Sequence, residues 1–202
     1  MDIEIRSDDE AIIKGYVNVV DRRSRPLRGF GKTFVEVVKP GVFANAIKKA
    51  QDEKRAIEML IDHNSSVKAA DTLRGSLELR EDNIGLYAKA VITKPEIIAE
   101  IREKSPKGWS FGFVKKKDKF TKYGEDSIEE RTLEEIELRE VSLLIGKYPA
   151  YIATSVEVRG ENEIELEYRG YTDVNVKDNT EVKKSAEGYV RRVEILKLMH
   201  NY

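Results

Sequence analysis

The chain has no cysteine among its 202 residues. That excludes a disulfide framework, a thiolate zinc site and a cysteine nucleophile. It has two histidines, His63 and His200, too few for a histidine-rich metal site. No metal and no cofactor are therefore expected. An excess of either charge is also missing: 36 Lys and Arg stand against 37 Asp and Glu, for a net charge of −1. Nucleic-acid binding usually shows as a basic excess, so no nucleic-acid partner is expected. No apolar run approaches the ~18 residues of a membrane-spanning helix. The opening residues Met1-Asp2-Ile3-Glu4-Ile5-Arg6 alternate and are acidic, unlike a secretory signal. A soluble protein without a membrane partner is expected.

What is present is a mass of 23.1 kDa, enough for one domain with an appendage. Charged residues make up 36% of the chain, against about a quarter in ordinary domains, so the surface is densely charged. Against that background stands Gly108-Trp109-Ser110-Phe111-Gly112-Phe113. Read as a strand, it has period two. Trp109, Phe111 and Phe113 face one side, and Gly108, Ser110 and Gly112 the other. Glycines add no packing to a strand. Here they leave room beside a single hydroxyl, so that another backbone can approach it closely.

The remaining elements follow from periodicity and punctuation. Strands are expected over 11–20 and 31–38, with a basic exposed loop over 21–28. After Pro40-Gly41, the residues Val42, Phe43, Ala46, Ile47 and Ala50 recur at helical spacing. Residues 56–62 read as a buried strand that ends at His63, with Ile57, Met59, Ile61 and His63 on one face and a polar loop over 64–66. A hairpin is expected from 73–80 and 84–92. Thr93 and Glu96 suggest a capping box for a helix with Pro95 in its first turn. The lysine-rich run 114–119 reads as a solvated hairpin end, and 118–130 as a mobile loop. Residues 131–144 form a long strand whose even positions place Glu140 in a mostly apolar row. Gly146-Lys147-Tyr148-Pro149 is a turn, and 150–159 a strand or short helix. Beyond 160 the composition changes, giving a body over 1–160 and a C-terminal extension over 161–202, with an amphipathic helix near 189–198.

The chain thus offers an alcohol with space around it (Ser110), a histidine at a strand end (His63) and an inward carboxylate (Glu140). An inward carboxylate needs a hydrogen-bond donor. Serine hydrolysis needs a nucleophile, a base, and a group that orients the base; sequence order is immaterial because the triad is defined by geometry.

The sequence resembles the prohead (head maturation) serine proteases of tailed bacteriophages, distant relatives of the herpesvirus capsid assembly protease. The resemblance rests on several segments in order. They are Pro40-Gly41-Val42-Phe43, Leu60-Ile61-Asp62-His63-Asn64, Leu73-Arg74-Gly75-Ser76-Leu77, Gly85-Leu86, Gly108 to Phe113, Glu140-Val141-Ser142-Leu143-Leu144 and Pro149-Ala150. It covers most of residues 11–158 and none of the extension. It implies an α+β, mainly β fold: a small, mostly antiparallel closed β-barrel with two or three surrounding helices. It implies Ser110 as nucleophile, His63 as general base and Glu140 as orienting acid, with Glu137 and Asp62 as alternatives for the third role. The backbone N–H groups of Gly146 and Lys147 are the candidate oxyanion donors. Where relatives often carry a Pro-Leu-Gly type turn after the histidine, this chain has Val67-Lys68-Ala69-Ala70-Asp71, which concerns local substrate contacts. The implied function is a serine endopeptidase of capsid maturation, acting inside the prohead in the host cytoplasm. Its substrates would be scaffold or the N-terminal scaffolding segment of the major capsid protein, and itself, with 115–130 or 161–202 as candidate self-cleavage or scaffold-binding segments. A homo-oligomer, such as a dimer, is also implied. A catalytically inactive capsid- or scaffold-binding module of the same fold is the alternative.

Overall fold

The computed structural model describes residues 1–123, 128–146, 156–157, 166–171 and 174–180. The fold is mainly β, with two helices and thirteen strands among these residues. One sheet has the order β13-β1-β2-β8-β7, formed by Asn175–Asp178, Asp2–Ile5, Ala11–Val19, Gly85–Ile92 and Leu77–Glu81. The other runs β11-β12-β9-β10-β4-β3, formed by Val156–Glu157, Leu166–Tyr171, Gly108–Thr121, Glu129–Leu144, Lys32–Val38 and Leu27–Gly29. Two further strands, β5 (Glu58–Ile61) and β6 (Asn64–Asp71), join it through a parallel pairing of β5 with β10. Most pairings are antiparallel; β1 with β13 and β10 with β4 and β5 are parallel. Among the described residues neither sheet closes on itself, and the expected closed barrel is not shown.

One apolar core lies between them. It joins Ile3, Ile5 and Ile13 of the first sheet to Trp109, Phe111, Phe113, Val141 and Leu143 of the second. Helix α1 (Val42–Asp52) buries the five apolar residues expected from its spacing, and Phe43 meets the Phe111 ring edge-on with centroids 5.3 Å apart. Helix α2 (Pro95–Lys104) buries Ile97, Ile98 and Ile101. Its N-cap is Lys94, with no side-chain capping bond, so the expected Thr93–Glu96 capping box does not form. Pro95 at the first turn supplies the start instead.

The largest departures from the sequence reading concern β6, β7 and β9. Residues 64–71 are a strand, not a loop, and β7 begins only at Leu77, leaving Leu73 61% exposed. The lysine-rich run lies within β9, which continues to Thr121. Three of its exposed lysines are tied across the strand pair or to a near neighbour, Lys116 to Glu137, Lys117 to Glu134 and Lys115 to Asp118. Residues 189–198 lie outside the described residues. The extension past residue 160 contributes β12 beside β9 and β13 beside β1.

A buried ionic network fastens β12. Arg131 of β10 pairs with Glu36 of β4, Glu167 of β12 and Asp118 of β9. Arg169 of β12 reaches both Glu36 (2.7 Å) and Glu167 (2.7 Å). Arg131 is fully enclosed, with its guanidinium 5.1 Å from the Phe30 ring centroid. Such a set is tolerable in a core only because every charge meets an opposite one. Burial disfavours the charged form of Arg131, but its carboxylate partners more than offset this and raise it above its ordinary value.

Candidate active site

β9 is a central strand, flanked by β10 and β12. Its aromatic residues face the core, as period two predicts, and Ser110 and Gly112 face the other side. Ser110 lies directly opposite Ser142 of β10 and Gly170 of β12; Gly112 lies opposite Glu140 and Tyr168.

Glu140 arrives on this face through an irregularity. The ladder pairs Leu138 with Phe113 and then Glu140 with Gly112, so β10 advances two residues while β9 advances one. Arg139 is the extra residue of a β-bulge, and a bulge reverses the side to which later residues point. Leu138 therefore faces the core, and Glu140, Ser142 and Leu144 face the serine side. The apolar row assigned to Glu140 by parity is thereby corrected: its row changes sides at Arg139.

His63 arrives through a tight turn. Ile61 pairs with Asn64, so Asp62 and His63 are the two-residue loop of the β5–β6 hairpin. Their φ values are 49° and 62°, positive at both positions as in a type I′ turn. Side chains larger than glycine reach this region at a cost. Consecutive strained residues need the surroundings to hold them, and here they do. The Asp62 N–H donates to the Leu143 carbonyl (3.0 Å), and the Asp62 carboxylate accepts from the N–H groups of Ile145 and Gly146, both at 2.8 Å. The His63 N–H donates to Ser142 Oγ (3.2 Å). The turn also ends the parity of β5, so His63 does not continue the Ile57, Met59 and Ile61 row.

The ring of His63 then meets Glu140, with Nδ1 2.7 Å from Oε1. Ser142 Oγ donates to the other carboxylate oxygen at 2.5 Å. Both Glu140 oxygens thus act as acceptors, which puts the hydrogen of a neutral imidazole on Nδ1 and leaves a lone pair on Nε2. The Tyr168 ring tilts against the imidazole, centroids 4.2 Å apart. His63 Nε2 and Ser110 Oγ are both buried and both without a hydrogen-bond partner. Buried polar atoms are nearly always paired, which makes these two, on the side of β9 that also carries Glu140, the candidates for a catalytic pair.

Gly112 has a role other than the one read from the sequence. A Cβ there would lie 2.5 Å from Glu140 Oε1 and 2.8 Å from Tyr168 Cε1. The missing side chain makes room for the carboxylate and the tyrosine ring, not for a substrate backbone.

The structure brings Ser110, His63 and Glu140 to one face. Of the two alternatives for the acid, Asp62 turns its carboxylate to Ile145 and Gly146, and Glu137 is held by Lys116, Arg139 and Arg55. Burial pushes Glu137 up, but these cations outweigh it and leave the carboxyl below its ordinary range. The Gly146 N–H is engaged by Asp62, so an oxyanion there would compete with a carboxylate; Lys147 lies outside the described residues. Sequence reasoning missed Ser142 and Tyr168. The spacing of Ser142, two residues after Glu140 in one strand, carried the signal for the first; nothing carried it for the second. Among the described residues no acid-and-histidine group is arranged to hold a metal, and no helix is long and apolar enough to cross a membrane.

No curated protein and no solved structure matches this chain. The family model of the caudovirus prohead serine proteases matches residues 1–167, which include all of Ser110, His63 and Glu140. The chain belongs to the caudovirus prohead serine protease family.

Proposed function

We propose that the protein is a serine endopeptidase of phage capsid maturation, with Ser110 as nucleophile, His63 as general base and Glu140 as orienting acid. The observation that carries this reading is the 2.7 Å contact of His63 Nδ1 with Glu140 while Nε2 stays buried and unpartnered on the face of Ser110. In the reaction Ser110 Oγ attacks a peptide carbonyl, and its proton passes to His63 Nε2. Glu140 stabilises the resulting imidazolium through Nδ1–H. The C–N bond breaks as the imidazolium protonates the leaving amine, and water then releases the acyl group by the same route in reverse.

Ser110 has no exposed surface, so a substrate reaches it only after a rearrangement at this face. Loose or unmade catalytic hydrogen bonds are common before substrate binds. The substrates proposed are scaffold or the N-terminal scaffolding segment of the major capsid protein, and the protease itself, inside the prohead.

The test is co-expression of Ser110→Ala with the cognate capsid protein. Uncut capsid protein and uncut protease should both accumulate. Processing at the wild-type rate would refute the assignment.

A further inference from the structure

We infer that Ser142 is a positioning residue of the active site, acting on His63 through Glu140. The inference rests on the proposed triad and adds a fourth member to it. Ser142 and Ser110 are directly opposed on β10 and β9, so two buried hydroxyls face each other across one ladder position. Opposed residues of antiparallel strands have Cβ atoms about 5 Å apart. Only their hydrogen bonding separates them. Ser142 Oγ donates to Glu140 Oε2 at 2.5 Å and accepts from the His63 backbone N–H at 3.2 Å. Ser110 Oγ has no partner. The proton of Ser142 is therefore committed to the carboxylate, and that of Ser110 is free to leave.

The two bonds of Ser142 do distinct work. Donation to Oε2 fixes the carboxylate plane, so that Oε1 presents to Nδ1. Acceptance from the His63 N–H holds the backbone of a residue at φ 62°, in the turn that sets where the ring points. A hydrogen bond to a charged group that aims another group is worth more than its own stability, because misaligned catalytic groups lose rate steeply. With 0% exposure, Ser142 makes both bonds away from bulk solvent.

The experiment follows phosphonylation of Ser110 by a fluorophosphonate probe. In that step the Oγ–P bond forms, the P–F bond breaks, fluoride leaves and the proton goes to His63. Ser142→Ala should lower the second-order labelling rate about 10- to 100-fold, the span of one hydrogen bond to a charged group. Ser142→Cys, which keeps the side-chain shape and only a weak donor, should lose rate in the same direction and serves if the alanine variant does not fold. A purely structural role is separated by Glu140→Gln. If Ser142 acts through Glu140, Ser142→Ala loses clearly less in the Glu140→Gln background than in the wild type, the remainder belonging to its bond with the His63 N–H. Losses that multiply would overturn the inference, as would a wild-type rate in both Ser142 variants. Failure of the wild-type protein to label at Ser110 would instead overturn the triad on which the inference rests.

Discussion

The carboxylate of Glu140 lies 2.7 Å from His63 Nδ1 because Arg139 is a bulge residue and Asp62-His63 is a two-residue turn. Each irregularity sends a side chain where regular alternation would not. The bulge turns Glu140 out of the core row, and the turn folds His63 back over β10. Removing the acid should leave the imidazole without an orienting partner. Glu140→Gln should lower the rate of capsid-protein cleavage by as much as about 10⁴-fold, the loss seen when an orienting carboxylate becomes an amide. A rate within tenfold of wild type would show that another group orients His63.

Gly112→Ala tests the fit between β9 and the dyad. The new methyl would lie 2.5 Å from Glu140 Oε1 and 2.8 Å from Tyr168 Cε1, so both side chains must shift. Overpacking of this kind costs roughly 1–3 kcal/mol of stability, but a displacement of about 1 Å at a catalytic group costs on the order of 10²-fold in rate. Activity should therefore fall far more than thermal stability. A variant that keeps full activity would mean that the carboxylate position in this structure is not the working one.

Asp62 braces the turn that carries His63. Its two oxygens accept from the N–H groups of Ile145 and Gly146. Asp62→Ala removes both acceptors and should cost about 1–3 kcal/mol, read by denaturant unfolding. Asp62→Asn keeps one acceptor and tolerates positive φ, so its loss should be smaller. Equal losses in the two variants would contradict the bracing role.

The serine, the histidine and the carboxylate are legible in the sequence because each stands apart from its surroundings. Ser110 sits between glycines, His63 ends an apolar strand, and Glu140 interrupts an apolar row. Helix α1 was also legible, since its buried residues keep strict helical spacing. The reason Glu140 stood out was nonetheless wrong in detail. Alternation cannot show a bulge, because inserting Arg139 changes no composition. The Asp62-His63 turn was hidden too, since such turns favour Asn-Gly or Asp-Gly and this one is held by tertiary hydrogen bonds. The extent of β9 was missed because its lysines read as solvent-exposed, which they are, while their strand is fixed by β10. The Arg131 and Arg169 network joins β4, β9, β10 and β12, and no local pattern points to it.

That network gives a pH dependence with a definite sign. Burial pushes the Glu167 carboxyl up, but Arg131 and Arg169 outweigh it and hold the group below its ordinary range. Asp178, at the end of β13, is likewise lowered, with burial overcome by Thr180 and Arg102. A depressed carboxyl stabilises the fold fully above its unfolded value, about 4.3 for Glu and 3.9 for Asp. The contribution is lost as pH falls through the lower folded value. Hydrogen-exchange protection of β12 and β13 should hold between pH 7 and 5 and fall below about pH 4. Protection that is lost between pH 7 and 5 would contradict this. At neutral pH, Arg131→Met leaves Asp118 without its arginine and the buried carboxylates one cation short, and should cost about 3–5 kcal/mol.

The most direct test of the central claim is to locate the nucleophile chemically. Wild-type protein treated with a fluorophosphonate is digested and its peptides mapped by mass spectrometry, alongside His63→Ala. A single adduct on Ser110, absent from the His63 variant, is the predicted result. An adduct on Ser142, or labelling of Ser110 that persists undiminished without His63, would contradict the assignment of Ser110 and His63 as nucleophile and base.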